Sequence, residues 1–117
     1  MKTTELMIGN WVKINYKDKN VKVTDIHDGL IDTTSVSPLM EDEFKPIPLT
    51  GEILEKNGFK FNDLPMFQYF EQWGLQLYRG GNGFRINCGI NVSLIIDSVH
   101  QLQQVIKLCG IEKEITI

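Results

Sequence analysis

Cysteine, histidine and long apolar runs are scarce in this chain of 117 residues, which has two cysteines and two histidines. Cys88 and Cys109 are too few for a disulfide framework and lack C-x-x-C spacing, so the sequence predicts two reduced, partly buried thiols. No apolar run approaches the roughly 18 residues that a membrane-spanning helix needs, and no secretory h-region follows the first residues. We therefore expect a cytoplasmic domain that neither spans a membrane nor relies on disulfides.

The charges nearly balance, with 12 Lys and Arg against 15 Asp and Glu and a net charge of −3. This balance argues against a protein dominated by phosphate neutralisation but leaves room for a local basic patch. Residues 1–22 hold five lysines, whereas residues 24–44 hold six acidic residues and no lysine or arginine. With 42% hydrophobic residues, the chain can bury a core without a metal or disulfide.

The first 49 residues show a pattern of short strands and tight turns. Apolar and polar residues alternate over residues 10–16, which predicts Val12, Ile14 and Tyr16 on the buried side of a strand. After a polar turn over residues 17–20, the alternation resumes over residues 21–24. Asp28-Gly29 predicts a second tight turn, followed by a strand over residues 30–36. Three short strands predict an SH3-like, β-rich portion. Two prolines make residues 45–49 an edge or connecting segment.

Two helices are predicted in the second half. Thr50 and Asn57-Gly58 are the expected caps of a short helix. An amphipathic helix begins at Ser98, where the Ser-x-x-Gln pattern with Gln101 matches a capping box, and Gly110 ends it. Its predicted apolar side carries Val99, Leu102, Val105, Ile106 and Cys109.

Strands are expected between and after these helices. Residues 75–79 and 84–87 flank the glycine-rich loop 80–83, and residues 91–96 add another strand. Residues 66–73 suit a helix or a strand, and we favour a strand. Ile115 and Ile117 predict a final edge strand. The predicted fold is a single α+β domain over residues 1–117. In it, a β-rich portion (1–49) precedes a portion (50–117) with a short helix and an antiparallel sheet packed against the second helix.

Three separated segments carry a resemblance to a known family. They are Leu6–Val12, Pro46–Phe59 and the late pair Val99–Gln103 and Leu108–Gly110. In this order they resemble a family of short uncharacterised proteins that is abundant in gut bacteria and their prophages. The resemblance implies a bacterial or prophage protein of the cytoplasm and implies no activity, cofactor or catalytic residue. Each segment also has a folding role, as a strand start, a capped helix or a core helix.

A basic surface with one aromatic residue is the candidate nucleic-acid contact. Its predicted members are Trp11, Lys13, Lys17, Lys19 and Lys22. An aromatic ring can stack on bases while ammonium groups follow phosphates. The structural alternative is that the Trp11 ring covers the core and the lysines form a solvated edge. The acidic segment downstream also argues against nucleic-acid binding, because it repels a polyanion.

A metal site at the second turn is the less favoured interpretation of Asp25, His27, Asp28 and Asp32. Imidazole and carboxylate oxygens suit zinc or manganese. Because only one imidazole and no thiol pair lie nearby, a solvated acidic turn is favoured, and we expect no metal.

Catalytic and cofactor signatures are weak. The glycine-rich loop 80–83 lacks the Lys-Ser/Thr and the following helix of a phosphate-binding loop, so no cofactor is expected. A Cys88–His100 dyad is possible by spacing but less common than a structural thiol. Cys109 lies nine residues beyond His100, on the opposite side of the helix. We expect a non-catalytic protein.

A candidate interface lies on the predicted polar side of the second helix, at His100, Gln101, Gln103 and Gln104. A solvated helix face is the favoured interpretation of the same residues. The aromatic residues Phe67, Tyr69, Phe70 and Trp73 are expected in the core, with a partner-binding groove as the minority interpretation. The sequence thus favours a small accessory or interaction module that acts through a protein partner or self-association. Nucleic-acid binding is the alternative, and a cysteine-dependent enzyme is third.

Overall fold

The computed structural model of the chain describes residues 1–80, 83–87 and 93–117. The chain divides into two compact units, Met1–Pro48 and Leu49–Ile117, and this boundary lies within one residue of the predicted change at residue 49. The first unit contains one antiparallel sheet, and the second contains another sheet and two α-helices. The α+β class is confirmed, while the expectation of a single domain stays a prediction. None of the helices in the described residues has the length and apolarity required to cross a bilayer.

The first unit begins with a short 3-10 helix, Thr3–Glu5, followed by four strands. The strands are β1 (Trp11–Ile14), β2 (Lys19–His27), β3 (Leu30–Thr33) and β4 (Phe44–Lys45). They form one sheet in the order β3-β2-β1-β4. In this fully described unit the edge strands β3 and β4 do not pair with each other, so the sheet is open and the SH3-like barrel is not confirmed.

The alternation of apolar and polar residues determines which side of this sheet is buried. Val12 and Ile14 are fully buried, whereas Trp11 and Lys13 on the other side of β1 are half-exposed. The strand ends at Ile14, so Tyr16, which we expected on the buried side, is 56% exposed in the following turn. The buried cluster contains Leu6, Val12, Ile14, Val21, Val23, Ile31, Leu39 and Phe44.

The turns of the first unit follow the predicted chemistry, with one shift. Asp28 and Gly29 have φ of 49° and 73°, the two positive values that a tight hairpin turn needs. Lys19, expected in the preceding polar turn, instead begins β2 and pairs with Ile14. The positive φ of that turn falls on Asp18, at 49°.

A β-bulge in β2 reverses the side on which its side chains lie. Val23 pairs with Thr33, but Asp25 pairs with Asp32, so Thr24 has no direct partner. After this extra residue, Ile26 packs against the buried cluster. Asp25 and His27 therefore lie on the outward side, where strict alternation with Val23 would place them inward.

The described residues of the second unit form two helices and five strands. They are α1 (Gly51–Lys56), β5 (Lys60–Asp63), β6 (Gln68–Gln72), β7 (Leu75–Gly80), β8 (Gly83–Asn87), β9 (Ser93–Ile96) and α2 (Val99–Leu108). The strands pair sequentially in the order β5-β6-β7-β8-β9. The strand predicted within residues 66–73 is confirmed, and β5 was not predicted. Residues 81, 82, 91 and 92 of the predicted loop and last strand lie outside the described residues.

Both predicted caps of α1 are present. The Thr50 hydroxyl accepts a hydrogen bond from the Ile53 N–H at 3.3 Å. At the other end Gly58 has φ of 88°, and the N–H of Phe59 donates to the Leu54 carbonyl at 3.0 Å. This bond and the positive φ are those of a Schellman cap.

The carboxyl-terminal segment is held by a side chain and is not a strand. Residues 111–117 have no strand assignment, so the predicted edge strand is wrong. The Asn57 amide donates to the Thr116 carbonyl and accepts from the Thr116 N–H, both at 2.7 Å. These two bonds satisfy the backbone of Thr116 without a neighbouring strand, while Ile115 is buried.

Helix α2 differs from the prediction in the hydrogen bonding of its N-cap and in the exposure of Cys109. Ser98 is the N-cap residue, but its hydroxyl makes no capping hydrogen bond, and the Gln101 side chain accepts from the N–H of Asp97 at 2.8 Å. Val99, Leu102, Val105 and Ile106 are buried as predicted. Cys109, predicted on the apolar side, is the C-cap residue and is exposed. Gly110, with φ of 74°, follows the cap as predicted.

Gly80 and Gly83, which are paired at the end of the β7–β8 hairpin, predict different effects of an added side chain. A Cβ atom at Gly83 overlaps the Ile96 carbonyl oxygen, whereas a Cβ atom at Gly80 meets nothing within 4 Å. We expect Gly83→Ala to lower the free energy of unfolding by about 1–3 kcal/mol because backbone must move. The matched Gly80→Ala should change it by less than about 1 kcal/mol. Urea denaturation followed by circular dichroism measures both, and equal effects would contradict the close approach of β8 and β9.

Candidate functional site

The outward side of the four-stranded sheet carries a basic face, formed by Trp11, Lys13, Lys22 and Lys45. Trp11 is paired with Lys22 across β1 and β2, and Lys13 is paired with Lys45 across β1 and β4. Paired residues share one side of a sheet, so these side chains lie together. Lys45 was not among the predicted residues, because its place depends on the pairing of β4 with β1.

The ammonium groups of the basic face have defined partners. The Lys22 Nζ lies 5.1 Å from the centre of the Trp11 ring, which is a cation–π distance. The Lys13 Nζ lies 3.2 Å from a carboxylate oxygen of Asp18, whose side chain is 82% exposed. Because Asp18 is so exposed, water and salt weaken this pair and leave Lys13 able to exchange its partner.

The remaining two predicted lysines do not join this face. Lys19 pairs with Ile14, which points inward, and its Nζ donates to the Ser35 hydroxyl at 3.1 Å. Lys17 is exposed in the turn between β1 and β2. The structure therefore brings together Trp11, Lys13 and Lys22 of the five predicted residues.

An Asp25–His27–Asp32 cluster lies on the outward side of β2 and β3. The His27 Nε2 is 3.2 Å from the Asp32 Oδ2, and one potential ligand atom from each residue lies within 4.8 Å of the others. Asp28, which the sequence grouped with them, is in the hairpin turn and outside the cluster. The β-bulge that assembles the cluster leaves no local pattern in the sequence, so only the nearness of these residue types could have suggested it.

The outward side of the five-stranded sheet carries an aromatic row, formed by Tyr69, Tyr78, Arg85 and Ile95. These residues are directly paired across β6, β7, β8 and β9. The tyrosine rings lie 5.2 Å apart, Arg85 is exposed and Ile95 is 69% exposed. A side of a sheet with two tyrosine rings in tilted contact, a guanidinium group and an exposed isoleucine has the composition of a binding surface.

The aromatic residues predicted for the core are only partly there. Phe70 is 3% exposed, but Phe67 is 51% exposed, and Tyr69 lies in the aromatic row. Trp73 occupies the β6–β7 turn with φ of 54°, and its ring contacts Phe59 at 5.5 Å between centres. Period-two alternation explains the division, because Tyr69 and Phe70 point to opposite sides of β6.

The predicted interface on α2 loses one member. His100 is 5% exposed, so the prediction that it lies on the polar side is wrong. Ser98 and Val99 beside it are also buried, which shows that the first turn of α2 is enclosed on more than one side. Gln101, Gln103 and Gln104 are half-exposed. Cys88 lies outside the described residues, and with it the Cys88–His100 dyad.

An open groove of about 430 Å³ lies in the second unit, lined by Thr50, Gly51, Glu52, Glu55, Phe70 and Arg79. The Arg79 guanidinium carbon lies 6.0 Å from the centre of the Phe84 ring. Two carboxylates and one guanidinium give the groove no dominant charge, so it selects neither an anion nor a cation.

Comparison with protein-family models, with curated proteins and with solved structures gives no match to this chain.

The Trp11–Lys22 contact predicts a measurable coupling. We expect Lys22→Met to lower the free energy of unfolding by about 0.5–1 kcal/mol more in the wild type than in a Trp11→Leu background. Thermal or urea denaturation of the four proteins measures this difference. Lys19→Met, on the other side of the sheet, is the control and should have equal effects in both backgrounds. A zero coupling for Lys22 would show that its ammonium group does not rest on the ring.

Proposed function

We propose that this protein is a small non-catalytic interaction module that binds another protein chain through the aromatic row. The observation that carries the proposal is the direct pairing of Tyr69, Tyr78, Arg85 and Ile95 across four strands. Tyrosine and arginine are the residue types that most often dominate binding energy at protein interfaces. Rigid rings on paired strands lose little conformational entropy when they are covered.

The exposed isoleucine adds a hydrophobic term to this surface. Ile95 is 69% exposed, and it lies on β9 at the edge of the sheet. Covering apolar area contributes about 25 cal/mol per Å², so a partner that covers Ile95 and the tyrosine rings gains from one continuous contact. The simplest such partner is a second copy of the chain.

The cellular setting follows from the resemblance to short proteins of gut bacteria and their prophages. We infer that the protein functions in a bacterial cytoplasm and is encoded by the bacterium or a prophage. A role as an accessory module fits a surface built for contact.

Self-association tests the proposal with two charge-matched variants. If the aromatic row joins two copies, Ile95→Lys should weaken the dimer by more than about tenfold, because an unpaired ammonium group is buried. Gln103→Lys, on α2, adds the same charge and should leave the dimer unchanged. Sedimentation velocity over a range of concentrations measures both. The reverse result would assign the interface to α2.

If the wild-type protein stays monomeric, the partner predicted by the proposal is a different protein chain, and photo-crosslinking tests for it. A photo-crosslinking residue is then placed at Ile95 and, as the control, at the exposed Lys107 in cells that produce the protein. One discrete adduct from position 95 but not from position 107 supports the proposal. Its absence, with no dimer, contradicts binding through the aromatic row.

Nucleic-acid binding by the basic face is the second candidate, and the position of Lys45 opposite Lys13 favours it. We expect Lys45→Ala to weaken binding of labelled single-stranded oligothymidylate and to reduce the salt dependence by about 0.7, the contribution of one phosphate contact. Lys113→Ala near the carboxyl terminus is the control. Fluorescence anisotropy at several salt concentrations measures both variants, and equal effects would reduce the interaction to nonspecific attraction.

A cysteine-dependent enzyme remains the third candidate. Unusually fast, pH-shifted alkylation of Cys88 by iodoacetamide is the observation that would favour it.

A further inference from the structure

We propose that Asp25, His27 and Asp32 form a binding site for a divalent transition-metal ion such as Zn²⁺. The site is separate from the aromatic row and does not depend on the proposed interaction function. The sequence favours a solvated acidic turn here, but the β-bulge, the distances between donor atoms and the local charge favour a metal site.

The β-bulge in β2 assembles the Asp25–His27–Asp32 cluster. Without the bulge at Thr24, Asp25 and His27 would follow Val23 to the buried side of β2. The bulge instead pairs Asp25 with Asp32 and turns His27 outward beside them. Bulges frequently redirect side chains at functional sites. The result is one imidazole and two carboxylates on one side of a hairpin, which its tight turn at Asp28 and Gly29 holds together.

The donor atoms of the cluster lie close to the distances that one bound ion requires. Ligands bound at about 2.0–2.2 Å to one ion lie about 3–3.5 Å from each other. The His27 Nε2 and the Asp32 Oδ2 are already 3.2 Å apart, and a donor atom of Asp25 lies within 4.8 Å of both. The Asp25 side chain is exposed, so solvent, not packed protein, surrounds it where it would turn toward the other two donors.

The local charge of the cluster also favours a bound cation. Two carboxylates directly opposite each other on paired strands repel. Within the described residues, no lysine or arginine forms an ion pair with Asp25 or Asp32, and the ion pair that Asp32 does form is with His27. A divalent cation relieves the repulsion and also takes the imidazole nitrogen as a ligand, so it satisfies all three groups at once.

The mixed donor set determines which ions should bind. An imidazole nitrogen favours Zn²⁺ over Mn²⁺, and Mg²⁺ prefers oxygen ligands and retains its water. The expected order of affinity is therefore Zn²⁺, then Mn²⁺, then Mg²⁺. The side chains of His27 and Asp32 are 42% and 30% exposed, so an ion can enter from solvent and keep water in its remaining positions.

Isothermal titration calorimetry with Zn²⁺ tests the site, with two-dimensional NMR to locate the perturbed residues. We expect one ion per chain and the largest NMR changes at residues 25, 27 and 32. His27→Ala and Asp32→Asn should each weaken binding at least about tenfold, since loss of even an indirect ligand partner costs that much. These side chains are exposed, so the variants should keep the wild-type circular dichroism spectrum.

Asp28→Asn is the matched control. It removes one carboxylate from the same hairpin, and asparagine tolerates the positive φ of this position. Zn²⁺ affinity should change by less than about threefold, because only general attraction is lost. Cys109→Ser, which removes an exposed soft ligand elsewhere, should also leave the affinity unchanged.

Three results would overturn the proposal. They are no saturable Zn²⁺ binding, binding lost in Cys109→Ser but kept in His27→Ala, and equal affinities for Zn²⁺ and Mg²⁺ with equal effects of Asp28→Asn and Asp32→Asn. The last result would reduce the cluster to a diffuse acidic surface.

Discussion

The register of the antiparallel strands is the constraint on which every candidate surface depends. Side chains alternate between the two sides of a strand, and paired residues share a side. The burial of Val12 opposite Val21 holds β1 and β2 in register, since a slip of one residue would expose both. The same register places Trp11 beside Lys22. Hydrophobic burial on one side of the sheet therefore determines which polar groups meet on the other side.

Features that depend on a few neighbouring residues could be predicted from the sequence. The Thr50 cap and the Gly58 stop of α1 each act within one helical turn, and the chemistry of each is visible in the residue type. The same holds for the Asp28-Gly29 turn, because its two positive φ values suit these residues. Alternation located most strands for the same reason. Together these local signals predict the α+β class that the structure has.

Features that depend on distant pairing could not be predicted. Asn57 holds the backbone of Thr116, 59 residues away, and nothing in either residue type indicates the other. Lys45 reaches the basic face through the pairing of β4 with β1. The bulge at Thr24 is equally hidden, since threonine fits a regular strand as well. Trp11 and Lys13, half of the basic face, could be predicted from β1 alone. The geometry of the Asp25–His27–Asp32 cluster could not, because it depends on how β2 and β3 pair.

The outward side of the four-stranded sheet carries both the basic face and the Asp25–His27–Asp32 cluster. The binding of a polyanion to the first and of a cation to the second should therefore affect each other. Lys22 and Asp25 lie three residues apart on β2, about 10 Å along an extended strand, which is about one Debye length at 0.1 M salt. A polyanion on the basic face therefore experiences repulsion from Asp25 and Asp32. If the cluster binds a divalent cation as proposed, the cation would remove this repulsion, and each ligand would then strengthen the binding of the other, as thermodynamic linkage requires. Because salt screens this distance, the mutual effect is largest at low ionic strength and disappears when the cation site is lost.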